Sequence, residues 1–139
     1  MNSLDTNVLI YSFDPSEPEK HEAAARLLSV ACAESWPICS QVFGEFFTAT
    51  IRKGIATRPL ASETISNWQS LMPALPSSTE AHRVAMQLAT QHQLQYWDAL
   101  IIATCAEHGV KTLYTEDLPS LKKPAGVSVE NPFKKLRKR

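Results

Sequence analysis

An α/β domain with a small central parallel sheet flanked by helices is the fold that the sequence predicts, on three observations. Short apolar runs bounded by turn residues alternate with longer segments of helical periodicity, the pattern of βαβ units. The helical segments outnumber the strand-like ones, so the sheet is small and covered on both faces. The chain has 139 residues, 44% of them hydrophobic and 20% charged, which suits one globular domain with its own core.

Each element can be justified in turn. Asn2 to Leu4 reads as a short buried strand that stops at Asp5. "DPSEP" is a turn, and Ser16 with Glu19 has capping-box spacing for a helix from about Glu17 to Glu34. Ala24, Leu27, Leu28, Ala31 and Cys32 line its apolar face. "PICS" is a second strand, and Val42 to Lys53 is a helix. "GIATRP" interrupts the pattern before a helix over Ala61 to Leu71. "MPALPSS" holds a short extended piece, and Thr79 is placed to cap a helix to about Gln93, with Val84, Ala85 and Leu88 inward. A helix opened by Asp98 is apolar on all sides and stops at Gly109, a natural residue for a left-handed helix end. "KTLYT" is the next strand, followed by Asp117, and "VSV" is a last edge strand. The sequence carries neither an internal repeat nor a low-complexity segment.

Composition narrows the setting. No apolar run reaches the length of a membrane span, and the start "MNSLD" lacks the basic region of a signal peptide. Cys32, Cys39 and Cys105 are odd in number, form no Cys-x-x-Cys pair and lie among apolar neighbours, so buried reduced thiols in a cytoplasmic protein are expected. His21, His82, His92 and His108 are dispersed without zinc spacing, and His21 and His82 are expected on solvated helix faces. Net charge is zero but unevenly spread: residues 1–121 carry 7 basic against 13 acidic side chains (−6), and residues 122–139 carry 7 against 1 (+6). The end "NPFKKLRKR" is a basic tail on an acidic body, suited to nucleic acid, to an acidic partner or simply to solvent.

The chemistry lies in the placement of the acids. Taken alone, Asp98 reads as an N-cap with Trp97 at N′ and Ile102 at N4 forming a hydrophobic staple. Asp5, however, follows the first strand, Glu45 lies in the first turn of the helix after the second, and Asp117 follows "TLYT". Strand ends and helix starts gather at one edge of an open α/β sheet, where ligands bind. Carboxylates gathered there repel one another and raise at least one pKa, and a hard divalent cation relieves the repulsion. Oxygen ligands without accompanying His or Cys favour Mg²⁺ or Mn²⁺ over Zn²⁺. Such a site activates water and neutralises phosphate, the equipment of phosphodiester hydrolysis.

"LDTNVLIY", "SQVFGEF", "WDALIIATCAEHG" and "LYTEDL" followed by "ENPF" together resemble the PIN-domain ribonucleases. The nearest likeness is to the VapC-type toxins of the VapBC type II toxin–antitoxin systems. The resemblance spans nearly the whole chain in order, and implies a PIN-like (Rossmann-like) single domain over residues 1–133, with residues 134–139 as the basic tail. It makes Asp5 and Asp98 the principal ligands of Mg²⁺ or Mn²⁺, with Glu45 and Asp117 completing the acidic catalytic site. Thr6 matches a small hydroxyl residue that stabilises the pocket, and Thr115 takes a similar place before the fourth acid. Glu116 adjoins Asp117, so either side chain can be the one that enters the site. "PSLKKPAG" departs from the relatives in its two prolines and its lack of an early glycine, which bears on loop shape and substrate contacts.

The function implied is a metal-dependent endoribonuclease acting as a toxin, with RNA as substrate, a cognate antitoxin and a homodimer as partners, and no membrane. A housekeeping RNA-processing nuclease of the same fold is the alternative within the enzyme class. A non-catalytic binding module that keeps its acids as caps is the alternative outside it. No Ser-His-Asp or Cys-His arrangement and no RRM or KH signature competes with these. Lys134, Lys135, Arg137, Lys138 and Arg139 are the candidate RNA contacts of the tail.

Overall fold

β1 (Asn2–Leu4) lies at one side of a three-stranded parallel sheet in the order β1-β4-β5, with β4 spanning Thr112–Tyr114 and β5 Ser128–Glu130. The protein is seen in a computed structural model that describes residues 1–118 and 123–134. β2 (Ile38–Cys39) and β3 (Ala74–Leu75) pair in parallel as a separate two-stranded ribbon. The Ser3 hydroxyl donates to the Pro37 carbonyl at 2.6 Å, tying that ribbon to β1. The sheet is thus parallel and small, as the sequence predicts, with one pair of strands set apart. Around it run α1 (Thr6–Phe13), α2 (Pro18–Ala33), α3 (Ser40–Arg52), α4 (Arg58–Gln69), α5 (Thr79–His92) and α6 (Tyr96–Glu107).

α6 is the axis of the core. Every residue from Ala99 to Cys105 is buried, so the helix has no solvent face over two turns. Ile101 and Ile102 are among the largest fully buried side chains, each contributing about 1.5–3 kcal/mol by leaving water. The helix ends where Gly109 takes φ 78°, a left-handed conformation that a side chain would strain. α3 is amphipathic and buries Val42, Phe43, Phe46 and Thr50. The Thr50 hydroxyl is satisfied by the Phe46 carbonyl at 2.8 Å. Past β5, Phe133 is fully buried and meets Tyr11 edge to face at 5.0 Å, fastening this end of the chain to α1.

The helix starts differ from several expectations. The capping box of Ser16 and Glu19 does not form: Glu17 is the N-cap without a side-chain bond, and Pro18 is the first helical residue. Ser16 turns back to Asp14, which accepts from its amide at 3.1 Å and its hydroxyl at 3.0 Å. Ser78, not Thr79, caps α5 by accepting from Ala81 N–H at 3.0 Å. α4 begins at Arg58 rather than Ala61, because Pro59 is tolerated in a first turn and Thr57 caps it. His21 and His82 are half-buried rather than solvated. His21 Nδ1 lies 2.8 Å from the Tyr11 carbonyl, and His82 bonds the Tyr96 hydroxyl. Cys39 and Cys105 are buried free thiols, whereas Cys32 is only half-buried. Among the described residues, no helix is long and apolar enough to cross a membrane.

Candidate active site

The parallel register builds the site. Pairing of Leu4 with Tyr114, extended by Asp5 N–H to the Tyr114 carbonyl at 2.9 Å, sets Asp5 beside Thr115 at the ends of two neighbouring strands. The Thr115 hydroxyl donates to Asp5 Oδ2 at 2.7 Å, and Asp5 Oδ1 accepts from Thr6 N–H at 2.7 Å. Asp5 is therefore both the N-cap of α1 and the floor of the site. It is 5% exposed. Burial pushes its carboxyl up from the ordinary 3.8 to about 6; the Thr115 and Thr6 bonds oppose this, while Glu45 and Asp98 add to it.

Thr6 points its hydroxyl at Glu45 Oε1, 2.6 Å away. α3 begins at Ser40, so Glu45 stands in its second turn rather than its first as expected. Gln41, one turn earlier, donates from Nε2 to Glu45 Oε2 at 2.8 Å and to the Trp97 carbonyl at 2.9 Å. One amide thus spans from α3 to the first turn of α6. Its Oε1 is buried with no partner among the described residues. The amide cannot be turned round to cure this, because both neighbours of Nε2 are acceptors.

Asp98 is not a cap. α6 starts at Tyr96 with Gln95 as N-cap, which moves Asp98 to the third helical position and removes the expected staple of Trp97 and Ile102. The helix starts earlier than the apolar run suggested because Tyr96 and Trp97 already have helical geometry. Among the described residues, no donor reaches the Asp98 carboxylate. Burial raises its pKa, and the charges of Glu45 and Asp117 raise it further.

The 115–117 turn separates the two adjacent acids. Asn7 Nδ2 donates to Thr115 Oγ1 and to Asp117 Oδ2, both at 3.1 Å, and Asn7 Oδ1 accepts from Glu116 N–H at 3.1 Å. Asp117 faces the cleft with Thr6, Gln41, Glu45 and Trp97. Glu116 turns the other way, where it accepts from the Tyr11 hydroxyl at 2.7 Å and pairs with Lys20. The structure thus brings Asp5, Thr6, Glu45, Asp98, Thr115 and Asp117 together and leaves Glu116 outside. Asn7 and Gln41 were missed in the sequence. Asn7 sits inside the "DTN" motif and Gln41 lies one turn before Glu45, but their partners lie far along the chain.

The donor set is all oxygen and suits a hard divalent cation. Among the described residues, no three His, Cys, Asp or Glu side chains are placed closely enough to hold a metal ion. Glu45 is engaged by Thr6 and Gln41, and Asp117 by Asn7. Of the tail, Lys134 is exposed and borders a second hollow behind Glu116. Lys135, Arg137, Lys138 and Arg139 lie outside the described residues, as does the 119–122 part of the "PSLKKPAG" loop.

A parallel α/β sheet with carboxylates converging where its strands end defines a class of acidic-site domains. The model of the PIN domain family matches residues 3–125, and the chain belongs to that family. It is 27% identical over 127 residues to "Ribonuclease VapC24" of Mycobacterium tuberculosis (strain CDC 1551 / Oshkosh), covering 85% of this chain and 87% of that protein. Among solved structures, FitAB bound to the IR36 DNA fragment matches with a TM-score of 0.70 at 24% identity, over 96% of both chains. VapBC2 from Rickettsia felis, bound to a DNA fragment from the promoter, matches at 0.68 and 16% identity, over 94% of this chain and 97% of that one. VapC20 of Mycobacterium tuberculosis, described as a sarcin-ricin loop cleaving toxin, matches at 0.67 and 17%, over 84% and 90%. These structural likenesses show the fold.

Proposed function

We propose that the protein is a Mg²⁺- or Mn²⁺-dependent endoribonuclease, the toxin of a toxin–antitoxin pair, which hydrolyses RNA phosphodiester bonds. The observation that carries this reading is Asp98: a half-buried carboxylate with no hydrogen-bond donor among the described residues, set against the charges of Glu45 and Asp117. The first turn of α6 favours a carboxylate through the helix dipole, but burial and the neighbouring charges of Glu45 and Asp117 oppose its ionised form, a conflict that a bound divalent cation would relieve. Asp5 and Asp98 would hold the cation, with Glu45 and Asp117 completing the site directly or through water. When bound, the cation supplies charge neutralisation and an acidified water. The chain's own residues prepare the place: Thr115 and Thr6 fix both Asp5 oxygens, Gln41 and Thr6 fix Glu45, and Asn7 fixes Asp117. The name of the VapC24 relative supports the ribonuclease part, and the fold's match to a solved toxin–antitoxin complex from Klebsiella pneumoniae supports an antitoxin partner. A homodimer and a cytoplasmic setting belong to the same reading.

The second reading, a binding module without catalysis, rests on the absence of a ready three-carboxylate grouping among the described residues. One experiment separates them. The protein is incubated with total RNA, with and without Mg²⁺ or Mn²⁺, and the ends are mapped. Discrete cation-dependent ends support the nuclease; intact RNA under every cation leaves the binding module.

A further inference from the structure

Among the described residues, Trp97 is one of the few large apolar side chains left exposed, at 54%, and it stands in the acidic cleft one residue before Asp98. Its position is fixed from two sides. Gln41 holds its carbonyl at 2.9 Å, and the Tyr96 ring meets it edge to face at 4.9 Å and 77°. Tyr96 is in turn bonded to His82 on α5 and stacked against its ring. An exposed ring whose backbone and edge are both held loses little freedom when something lies on its open face. The same cleft is bordered by Arg52 and Lys53 at the end of α3. Neither makes an ion pair among the described residues. The cleft therefore carries an aromatic face and two uncommitted cations beside its carboxylates, within a body of net charge −6.

The geometry points to a substrate wall inside the cleft: Trp97 is a stacking platform for an unpaired base of single-stranded RNA, and Arg52 and Lys53 hold the neighbouring phosphates. This rests on the ribonuclease reading and names the residues through which that site takes its substrate. Bases of a duplex already stack on one another, so an open aromatic face selects a strand whose bases are free. Stacking is tolerant of base identity, and two cations track a backbone without reading it. The wall thus selects strandedness more than sequence. It is separate in sequence from the basic residues of the tail.

Binding is measured apart from cleavage, so that failure of this wall and failure of the nuclease reading give different results. A fluorescein-labelled single-stranded oligoribonucleotide of about 12 nucleotides is titrated against the full chain carrying Asp98→Asn, which keeps the strand intact. Adding Trp97→Ala should weaken binding by about 5- to 150-fold, as loss of one base–aromatic stack does, with an unchanged melting temperature. Trp97→Phe should retain most of the affinity. A strand with one abasic nucleotide at the contacted position should bind as weakly, and Trp97→Ala should then cost nothing more. Arg52→Ala with Lys53→Ala should lower the slope of log affinity against log salt by about 1.4 for a single strand. Unchanged affinity on Trp97→Ala overturns the platform even if the wild-type protein cuts RNA, and assigns the ring to a protein-facing surface. The same loss on intact and on every abasic strand overturns it too, because the ring then touches no base.

Discussion

The Thr115 hydroxyl donates to Asp5 at 2.7 Å while accepting from Asn7 at 3.1 Å and from Asp117 N–H at 3.2 Å. One oxygen thus joins the strand-end acid to the turn that carries the last acid. Thr115→Val keeps the shape and removes the hydroxyl. The substitution should destabilise the fold by about 1–3 kcal/mol, the cost of unsatisfied buried polar groups, and push the Asp5 carboxyl above its present value of about 6. Thr115→Ser should restore both. Urea unfolding and an NMR titration of Asp5 check the pair of effects; a fully stable Val variant would remove Thr115 from the site's support.

Asp5 gives a pH dependence with a definite sign. Its pKa is raised in the fold from 3.8 to about 6, so the folded state binds the proton more tightly than the unfolded chain. Below about 3.8 both states are protonated and no penalty exists. Stability falls as pH rises from about 3.8 to 6, and above that the penalty is on the order of 3 kcal/mol. In chelator, Asp5→Asn should therefore be more stable than wild type above pH 6, with the advantage fading towards about pH 4. Paired unfolding curves across this range test it; a constant difference would contradict the burial-driven shift.

Asp98→Asn removes a charge that no donor compensates. Stability should hold or rise, and cleavage should fall by at least about 100-fold, the scale of losing one charge-stabilising group. An Asp98→Asn variant that unfolds, yet keeps activity in its folded fraction, would defeat the metal assignment. Chelation of the wild type should likewise abolish cleavage, and added Mg²⁺ or Mn²⁺ should restore it while raising the melting temperature with concentration.

Glu116 and Asp117 are adjacent in sequence but face opposite ways, which activity can read. Asp117→Asn should impair cleavage, whereas Glu116→Gln should leave it near wild type and only loosen the contacts with Tyr11 and Lys20. Equal loss in both variants would mean that the turn acts as one unit.

Deletion after Phe133 tests the tail without disturbing the buried anchor on Tyr11. Loss of Lys134, Lys135, Arg137, Lys138 and Arg139 should flatten the salt dependence of RNA binding and leave cleavage at saturating RNA intact. An unchanged slope would leave the tail to solvent or to the antitoxin.

Much of this site was legible from where acids fall relative to strands. Asp5, Glu45, Asp98 and Asp117 could be placed at one edge because strand termini and helix starts gather there. The N-caps were less legible. Asp, Ser and Thr compete for one role over a few residues, and Ser78 displaced Thr79 because it is also braced by Glu107. Asn7 and Gln41 could not be read at all, since Asn7 reaches 108 residues to Thr115 and Gln41 reaches 56 to Trp97. Their value comes from register across elements, which no local pattern encodes.

The thiols of Cys39 and Cys105 lie 3.8 Å apart at the contact of β2 with α6. Their mutual hydrogen bond, together with burial, holds the Cys39 thiol far above the ordinary range. Both side chains are buried, at 1% and 0% exposed, so an alkylating reagent finds this pair only while the helix has parted from the strand. Half-buried Cys32 on α2 lacks that protection. The chain thus carries its own clock: fast labelling at one cysteine counts local breathing, and slow labelling at the other two counts how often the core opens.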